Sequence, residues 1–327
     1  MTCRIVTPPK GRTHRMPRRR PYPTLVVATL ALHLVAPLRL HAQAGTTAAQ
    51  VPISLVLPRP DSALQAGLNR ILSERPFRSL VARGQLSVAL VDLSQPGVIR
   101  YAARDDNRMR YAASLPKIAI MLGVFCEVDA GRVTYSPALR HKLERMIRNS
   151  DNPTSSELIK LVGFEAIADC LRDPRYELYD EDRRGGLWVG KDYGGDLGYW
   201  ERDPISHISH GATARQVARF LVMLDRGELV SPWASAEMKS VMAHPAIHHK
   251  FVLGLDARPD SRIFRKSGTW RNWHADAAIV ERDGKKYVAV ALLETSSKGI
   301  LAQLIVKLDD LVHRSVRRQP VSREDGR

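Results

Sequence analysis

Ser114 and Lys117 stand three residues apart at the head of an apolar run, and a serine one helical turn from an amine can be made into a nucleophile. From Ile118 to Phe125 every residue except Gly123 is apolar, which predicts a helix buried on all sides. A lysine inside such a helix is costly to bury with its charge, so loss of water favours the neutral amine, which is a base. The spacing places the hydroxyl and the amine on one helix face. Taken alone, S-x-x-K reads first as an N-cap serine followed by a lysine whose head reaches water. Two other short stretches carry polar groups suited to the same chemistry: Ser150-Asp151-Asn152, and Lys266-Ser267-Gly268-Thr269. Singly, the first reads as a turn before Pro153 and the second as a strand end.

The elements around these residues follow from periodicity and caps. Asp61 opens a helix with Leu64, Leu68, Ile71 and Leu72 on one face. Leu86 to Val91 and Val98 to Tyr101, split by Ser94-Gln95-Pro96-Gly97, read as a strand pair. After the Ser114 helix, which ends near Gly131, Ser136-Pro137 caps another with Leu139, Leu143, Met146 and Ile147 inside. Further helical pattern runs from Pro153 to about Leu171. Residues 174–212 form a long glycine-rich loop holding Trp188 and Trp200, and loops of that length are commonly functional. Thr213-Ala214-Arg215-Gln216 is a capping box, and a further helix follows Ser231-Pro232. A strand leading into Lys266, a second over Ala275 to Glu281, a third over Tyr287 to Leu293 and a last helix complete the pattern. The expected fold is α/β of the α+β type: a five-stranded antiparallel sheet flanked by helices, with an all-helical lobe (about 112–245) inserted between its halves.

The chain has 327 residues and a formal charge of +16. Residues 1–44 hold eight Lys/Arg and no acid, then an apolar stretch from Leu25 to Leu38 and Ala42-Gln43-Ala44. That is the pattern of a secretory signal peptide cut after Ala44, with an apolar stretch too short and interrupted to span a membrane. The expected organisation is therefore a signal over 1–44, a catalytic domain over 45–317 and a polar tail over 318–327, in a secreted or periplasmic protein. Without the leader, 42 Lys/Arg face 34 Asp/Glu, leaving +8, and no basic–aromatic patch suggests nucleic acid. Cys126 and Cys170 sit on apolar helix faces and are expected as two buried thiols.

The three motifs in the order S-x-x-K, S-D-N, K-[ST]-G, each at the element that suits it, are far more specific than any one. Over about residues 60–315 the chain resembles the penicillin-recognising serine hydrolases, and most closely the class A β-lactamases. The resemblance implies that Ser114 forms an acyl-enzyme, that Lys117 takes its proton, and that Ser150 relays a proton to the leaving nitrogen. It implies that Asn152 holds the substrate amide and that Lys266 brings positive charge to the substrate carboxylate. The Lys266-Ser267-Gly268-Thr269 strand end would line the substrate, the Ser114 and Thr269 N–H groups forming the oxyanion hole. No cofactor and no metal is implied. The implied partner is a small β-lactam or a cell-wall peptide, met by a monomer with no stable membrane insertion once the signal is removed.

Three departures bear on function. The Ser114–Ser150 interval is shorter than in typical class A enzymes. The E-x-x-L-N loop motif, whose glutamate activates the deacylating water, is missing from 174–212; Glu177, Glu181 and Asp182 are weak substitutes. The arginine usual beside K-[ST]-G is not evident, and Trp270, Arg271, Trp273, His274 and Asp276 occupy that hairpin. These departures leave open a D,D-peptidase-like, esterase or amidase homologue that deacylates β-lactams poorly, with Trp188, Lys191 and Tyr193 lining a different pocket. A non-catalytic penicillin-binding module also remains open. His207-x-x-His210, His248-His249 and His274-x-Asp276 give no three converging metal ligands, and there is no G-x-S-x-G elbow.

Overall fold

The computed structural model describes residues 55–297 and 299–314. The expected signal peptide and polar tail lie outside the described residues. In chain order the helices are α1 (Ser62–Ser73), α2 (Phe77–Ala82), α3 (Lys117–Asp129), α4 (Pro137–Arg148), α5 (Asn152–Val162), α6 (Phe164–Arg172), α7 (Ala214–Arg226), α8 (Pro232–Met242), α9 (Phe251–Gly254) and α10 (Ile300–Arg314). The strands are β1 (Leu86–Asp92), β2 (Arg100–Arg104), β3 (Arg110–Tyr111), β4 (Tyr179–Asp180), β5 (Gly185–Gly186), β6 (Trp188–Val189), β7 (His210–Ala212), β8 (Arg262–Trp270), β9 (Trp273–Arg282) and β10 (Lys285–Glu294).

Local chemistry starts most of the helices. Asp61, Ser136, Thr213 and Ser231 each accept the N–H three residues on, which satisfies a donor that the first turn leaves without a partner. The reciprocal half of the Thr213 box is not formed, because Gln216 Oε1 accepts instead from Arg219 at 2.6 Å. The pattern expected up to Leu171 divides at Gly163 into α5 and α6.

The expected sheet is present. Its order is β2-β1-β10-β9-β8, and every pairing is antiparallel. The two strands before the lobe therefore join the three after it through the β1–β10 ladder. Strand alternation sorts its side chains between two cores: Val88 and Leu90 point with Ala289 and Ala291 toward α1 and α10. Ala89 and Val91 point with Val288 and Val290 the other way, where α7 packs on β1, β9 and β10. All of β1 is buried, so it reads as a nearly continuous apolar run.

Between the sheet halves lies the inserted lobe, built around α3. Residues Lys117 through Phe125 are all buried, as the apolar run requires. The lobe is not wholly helical: 174–212 forms the ribbon β4-β5 and adds β6 and β7 to β3 in the ribbon β3-β7-β6. Strands of two or three residues leave no usable period in the sequence. The cysteines also depart from expectation. α3 and α6 pack closely, with a Cβ on Gly123 falling 2.8 Å from Ile167 Cγ1 and 3.3 Å from its Cα. This brings the Cα atoms of Cys126 and Cys170 to 6.6 Å, and the pair forms a disulfide rather than two thiols.

Candidate active site

Ser114 lies in a tight turn rather than inside α3. The N–H groups of Lys117, Ile118 and Ala119 donate three residues back, to Ser114 O (3.3 Å), Leu115 O (3.2 Å) and Pro116 O (2.9 Å). Its neighbour Ala113 is held at φ +50°, an uncommon conformation for a residue with a Cβ and one that concentrates at functional sites. Strand β8 crosses directly over this turn. A Cβ on Gly268 would fall 2.1 Å from Ala112 O and 2.8 Å from Ser114 N, so only glycine permits the approach.

Lys117 is fully buried and donates to Ser150 O (2.7 Å), Asn152 Oδ1 (2.7 Å) and Asp151 O (3.3 Å). Its ammonium lies 4.4 Å from the centre of the Tyr193 ring. Burial pulls its pKa down to about 7, against a smaller opposing pull from Asp151. Burial therefore favours the neutral amine, while the three hydrogen bonds it donates favour the ammonium.

The Ser150-Asp151-Asn152 turn divides its labour. Ser150 sits at φ +58° and its Oγ accepts from Lys266 Nζ at 2.9 Å. Asp151 turns away, capping α5 at Thr154 N (2.8 Å) and pairing with Arg145 (3.1 Å). Asn152 opens α5 and faces the cleft. Lys266 also donates to Ser267 O at 2.8 Å. Burial, then repulsion from Lys117 and Arg265, holds its pKa well below the ordinary lysine value. A bound carboxylate would reverse that pressure and restore the charge.

Ser114, Asn152 and Thr269 thus meet at one cleft of about 640 Å³, with Lys117, Ser150 and Lys266 beneath it. Of the remaining motif residues, Ser267 is buried with its Oγ 3.2 Å from His249 Nε2, and cleft-lining Thr269 accepts at Oγ1 from Lys250 Nζ at 2.7 Å.

Lys250 was not anticipated from sequence. It donates to Gly268 O (2.6 Å) and Ala275 O (3.2 Å) as well, putting a second cation beside the β8–β9 hairpin that carries Arg271. Burial lowers its pKa to about 8. The buried Arg265–Asp276 pair positions it: Arg265 donates to Ile247 O and His249 O, while Asp276 accepts the Phe251 N–H. This is the role of Asp276, one of the hairpin residues singled out in the sequence. The available signal was a lysine ending His248-His249-Lys250, a stretch that attracts attention first for its histidines.

The opposite wall comes from 174–212. Lys191 and Tyr193 line the cleft, as does His210, whose pKa burial lowers to about 4 so that it stays neutral. Trp188 does not: it is fully buried, packed between Tyr179 and Trp200. Glu177 pairs with Arg183 (2.9 Å) and Glu181 with Arg172 (3.4 Å), and with Asp182 they line a separate depression. Among the described residues, the one carboxylate lining the cleft is Asp192, whose oxygens accept the Gly194 and Leu197 N–H groups at 3.4 and 3.1 Å. No group of three metal-ligating side chains is found among the described residues, nor any helix long and apolar enough to cross a membrane.

A serine beside a positive-φ alanine, a buried lysine with a lowered pKa and a second lysine on a nearby hydroxyl are thus gathered at one cleft. The sequence model of the β-lactamase enzyme family matches residues 135–315, a span that holds Ser150, Asn152 and Lys266. The chain belongs to that family. Solved structures share the fold. A β-lactamase from Sphaerobacter thermophilus aligns with a TM-score of 0.57 at 18% identity, covering 75% of this chain and 95% of its own. PBP-A aligns with a TM-score of 0.57 at 19% identity, covering 81% and 100%. A β-lactamase from Chitinophaga pinensis aligns with a TM-score of 0.56 at 15% identity, covering 75% and 97%. A mutant of PBP-A, solved as an acyl-enzyme complex with penicillin G, aligns with a TM-score of 0.57 at 20% identity, covering 81% and 100%. No curated protein sequence matches the chain.

Proposed function

We propose that this is an exported serine hydrolase that opens β-lactam rings through an acyl-enzyme on Ser114 and releases the product slowly. The observation that carries the reading is geometric: Ser114, Asn152 and Thr269 line one cleft, with buried Lys117 on Asn152 Oδ1 and Lys266 on Ser150 Oγ, and burial lowering the Lys117 pKa supports it. In its neutral form Lys117 takes the Ser114 proton as Oγ attacks the ring carbonyl. The oxyanion that forms meets the N–H groups of Ser114 and Thr269, and Ser150 hands a proton to the nitrogen as the C–N bond breaks. Asn152 holds the acyl-side amide. Lys266 and Lys250 attract the ring carboxylate toward the Ser267-Gly268-Thr269 edge.

One observation favours a second reading, in which the enzyme acts as a peptidase and a β-lactam remains trapped on Ser114. The group facing Lys117 from the 174–212 wall is an aromatic ring rather than a carboxylate. Hydrolysis of the ester needs a base for the attacking water, and the carboxylate on that wall, Asp192, is engaged with the Gly194 and Leu197 N–H groups.

The test is to mix the mature protein with benzylpenicillin and follow intact mass and ring opening together, with Ser114→Ala alongside. We expect a one-to-one adduct that is absent from Ser114→Ala and decays slowly into hydrolysed product. An adduct that never decays favours the peptidase reading. Absence of any adduct overturns both.

A further inference from the structure

The 174–212 wall carries cations that the proposed chemistry does not use. Lys191 and Arg202 lie on the same platform, 4.5 and 5.1 Å from the centre of the Tyr199 ring, a side chain left 59% exposed. The Lys191–Tyr199 bridge fixes the first of these, and Arg202 spends one donor on His207 O at 2.9 Å, which anchors it with the rest of its guanidinium free to bind. Arg271 stands on the opposite lip at φ +50°. Among the described residues none of the three forms an ion pair. Nearby Arg172, Arg175 and Arg183 are each paired with a carboxylate, so the local sequence does not lack acids. The one acid lining this cleft, Asp192, is occupied with two backbone N–H groups. An exposed aromatic platform carrying two cations at the edge of a cleft concentrates positive potential where a ligand would sit.

We propose that Lys191 and Arg202 form a subsite for a carboxylate on the acyl half of the substrate, distinct from the carboxylate that Lys250 and Lys266 attract. The proposal rests on the acyl-enzyme reading for its orientation. A substrate with its carbonyl at Ser114 and its ring carboxylate at Thr269 projects its acyl chain across the cleft toward Tyr199. Preferred substrates are therefore dianionic, bearing negative charge on both sides of the scissile amide. That chemistry exists both in penicillins with a carboxylated side chain and in peptides carrying an acidic residue before the scissile bond.

Binding separates this subsite from the chemistry at Ser114. Dissociation constants of benzylpenicillin and α-carboxybenzylpenicillin, which differ by one carboxylate, are measured by calorimetry on the Ser114→Ala protein. The carboxylated compound is expected to bind about five- to tenfold more tightly, the range of one partly exposed charge-assisted contact. The ratio should fall toward one in Lys191→Gln/Arg202→Gln and in 0.5 M salt, which screens exposed charges. Acylation rates of the unmodified enzyme on N-acyl-D-alanyl depsipeptides, matched except for an acyl-chain carboxylate, give the second arm. Preference in either series supports the subsite and shows which source it serves. Equal affinities and equal rates in both overturn it. A binding preference without any acylation leaves the subsite standing and removes the acyl-enzyme reading.

Discussion

The floor of the cleft and its loop-built wall border the same cavity but are made differently. The floor is dense and dry. Lys117 and Lys266 are almost wholly enclosed, and their donors are spent on Ser150, Asn152 and nearby carbonyls. The wall is open and aromatic, with its cations facing solvent and with Tyr193 set against Lys117. Burial changes proton affinity on the floor, and exposure leaves charge available for recognition on the wall. On the proposed reading, the difference makes forming the acyl-enzyme and choosing or releasing it separable properties. Mutations in the two regions should therefore act on different kinetic quantities.

The largest expected effect comes from the floor. Lys117→Ala removes the proposed base while leaving the serine, and acylation by a chromogenic cephalosporin should fall about 10²- to 10⁴-fold in stopped-flow measurements. The loss should be the same for substrates with charged and neutral acyl chains. A loss below tenfold would transfer the proton-accepting role to the Lys266–Ser150 pair. A loss that depends on the acyl chain would mean that floor and wall are not separable.

The Cys126–Cys170 disulfide joins the two regions, because α3 leads from Ser114 and α6 leads into the wall loop. Closing a loop across a sequence separation of 44 restrains the unfolded chain by about 4 kcal/mol. Cys126→Ala/Cys170→Ala should lower unfolding stability by up to that amount in denaturant titrations, while the acylation rate at 25 °C changes less than about twofold. If acylation collapses in a protein that is still folded, the floor depends on the wall and the contrast between them fails.

How far the sequence reveals this arrangement depends on how local each cause is. The caps at Asp61, Ser136 and Ser231 are legible because one side chain and a nearby N–H decide them. The buried α3 and the alternating strands of the sheet are legible because their periods are sustained over many residues. Ser150 and Lys266 are 116 residues apart, and their contact could be anticipated only through the order of three motifs. The disulfide was misread because each cysteine lies on an ordinary apolar helix face, and pairing depends on how closely α3 meets α6. Lys250 was missed for a similar reason. Its approach to Thr269 depends on Arg265 and Asp276 gripping the 247–251 backbone, a cause spread over three segments. The ribbons of 174–212 depend on pairings to β3 and on each other rather than on any local pattern.

Tyr193 is where floor and wall touch, and it yields the smallest and sharpest effect. Its ring has two opposing influences on Lys117. The electron-rich face favours the ammonium, while its bulk keeps water out and favours the amine. Burial is the dominant cause of the Lys117 pKa of about 7, so exclusion of water should win. Acylation requires the neutral amine, so its rate should rise with pH through about 7 and level off above. Tyr193→Ala admits water and should move the midpoint of that rise to higher pH. A displacement of about one pH unit lowers the neutral fraction at pH 7 roughly fivefold and leaves the plateau at pH 9 almost unchanged. Tyr193→Phe keeps the ring and should leave the midpoint where it is, which separates the ring from the hydroxyl that donates to Ala113 O at 3.3 Å. A midpoint that moves to lower pH in Tyr193→Ala would mean that the wall stabilises the Lys117 charge instead. The floor would then owe its base to its own burial alone.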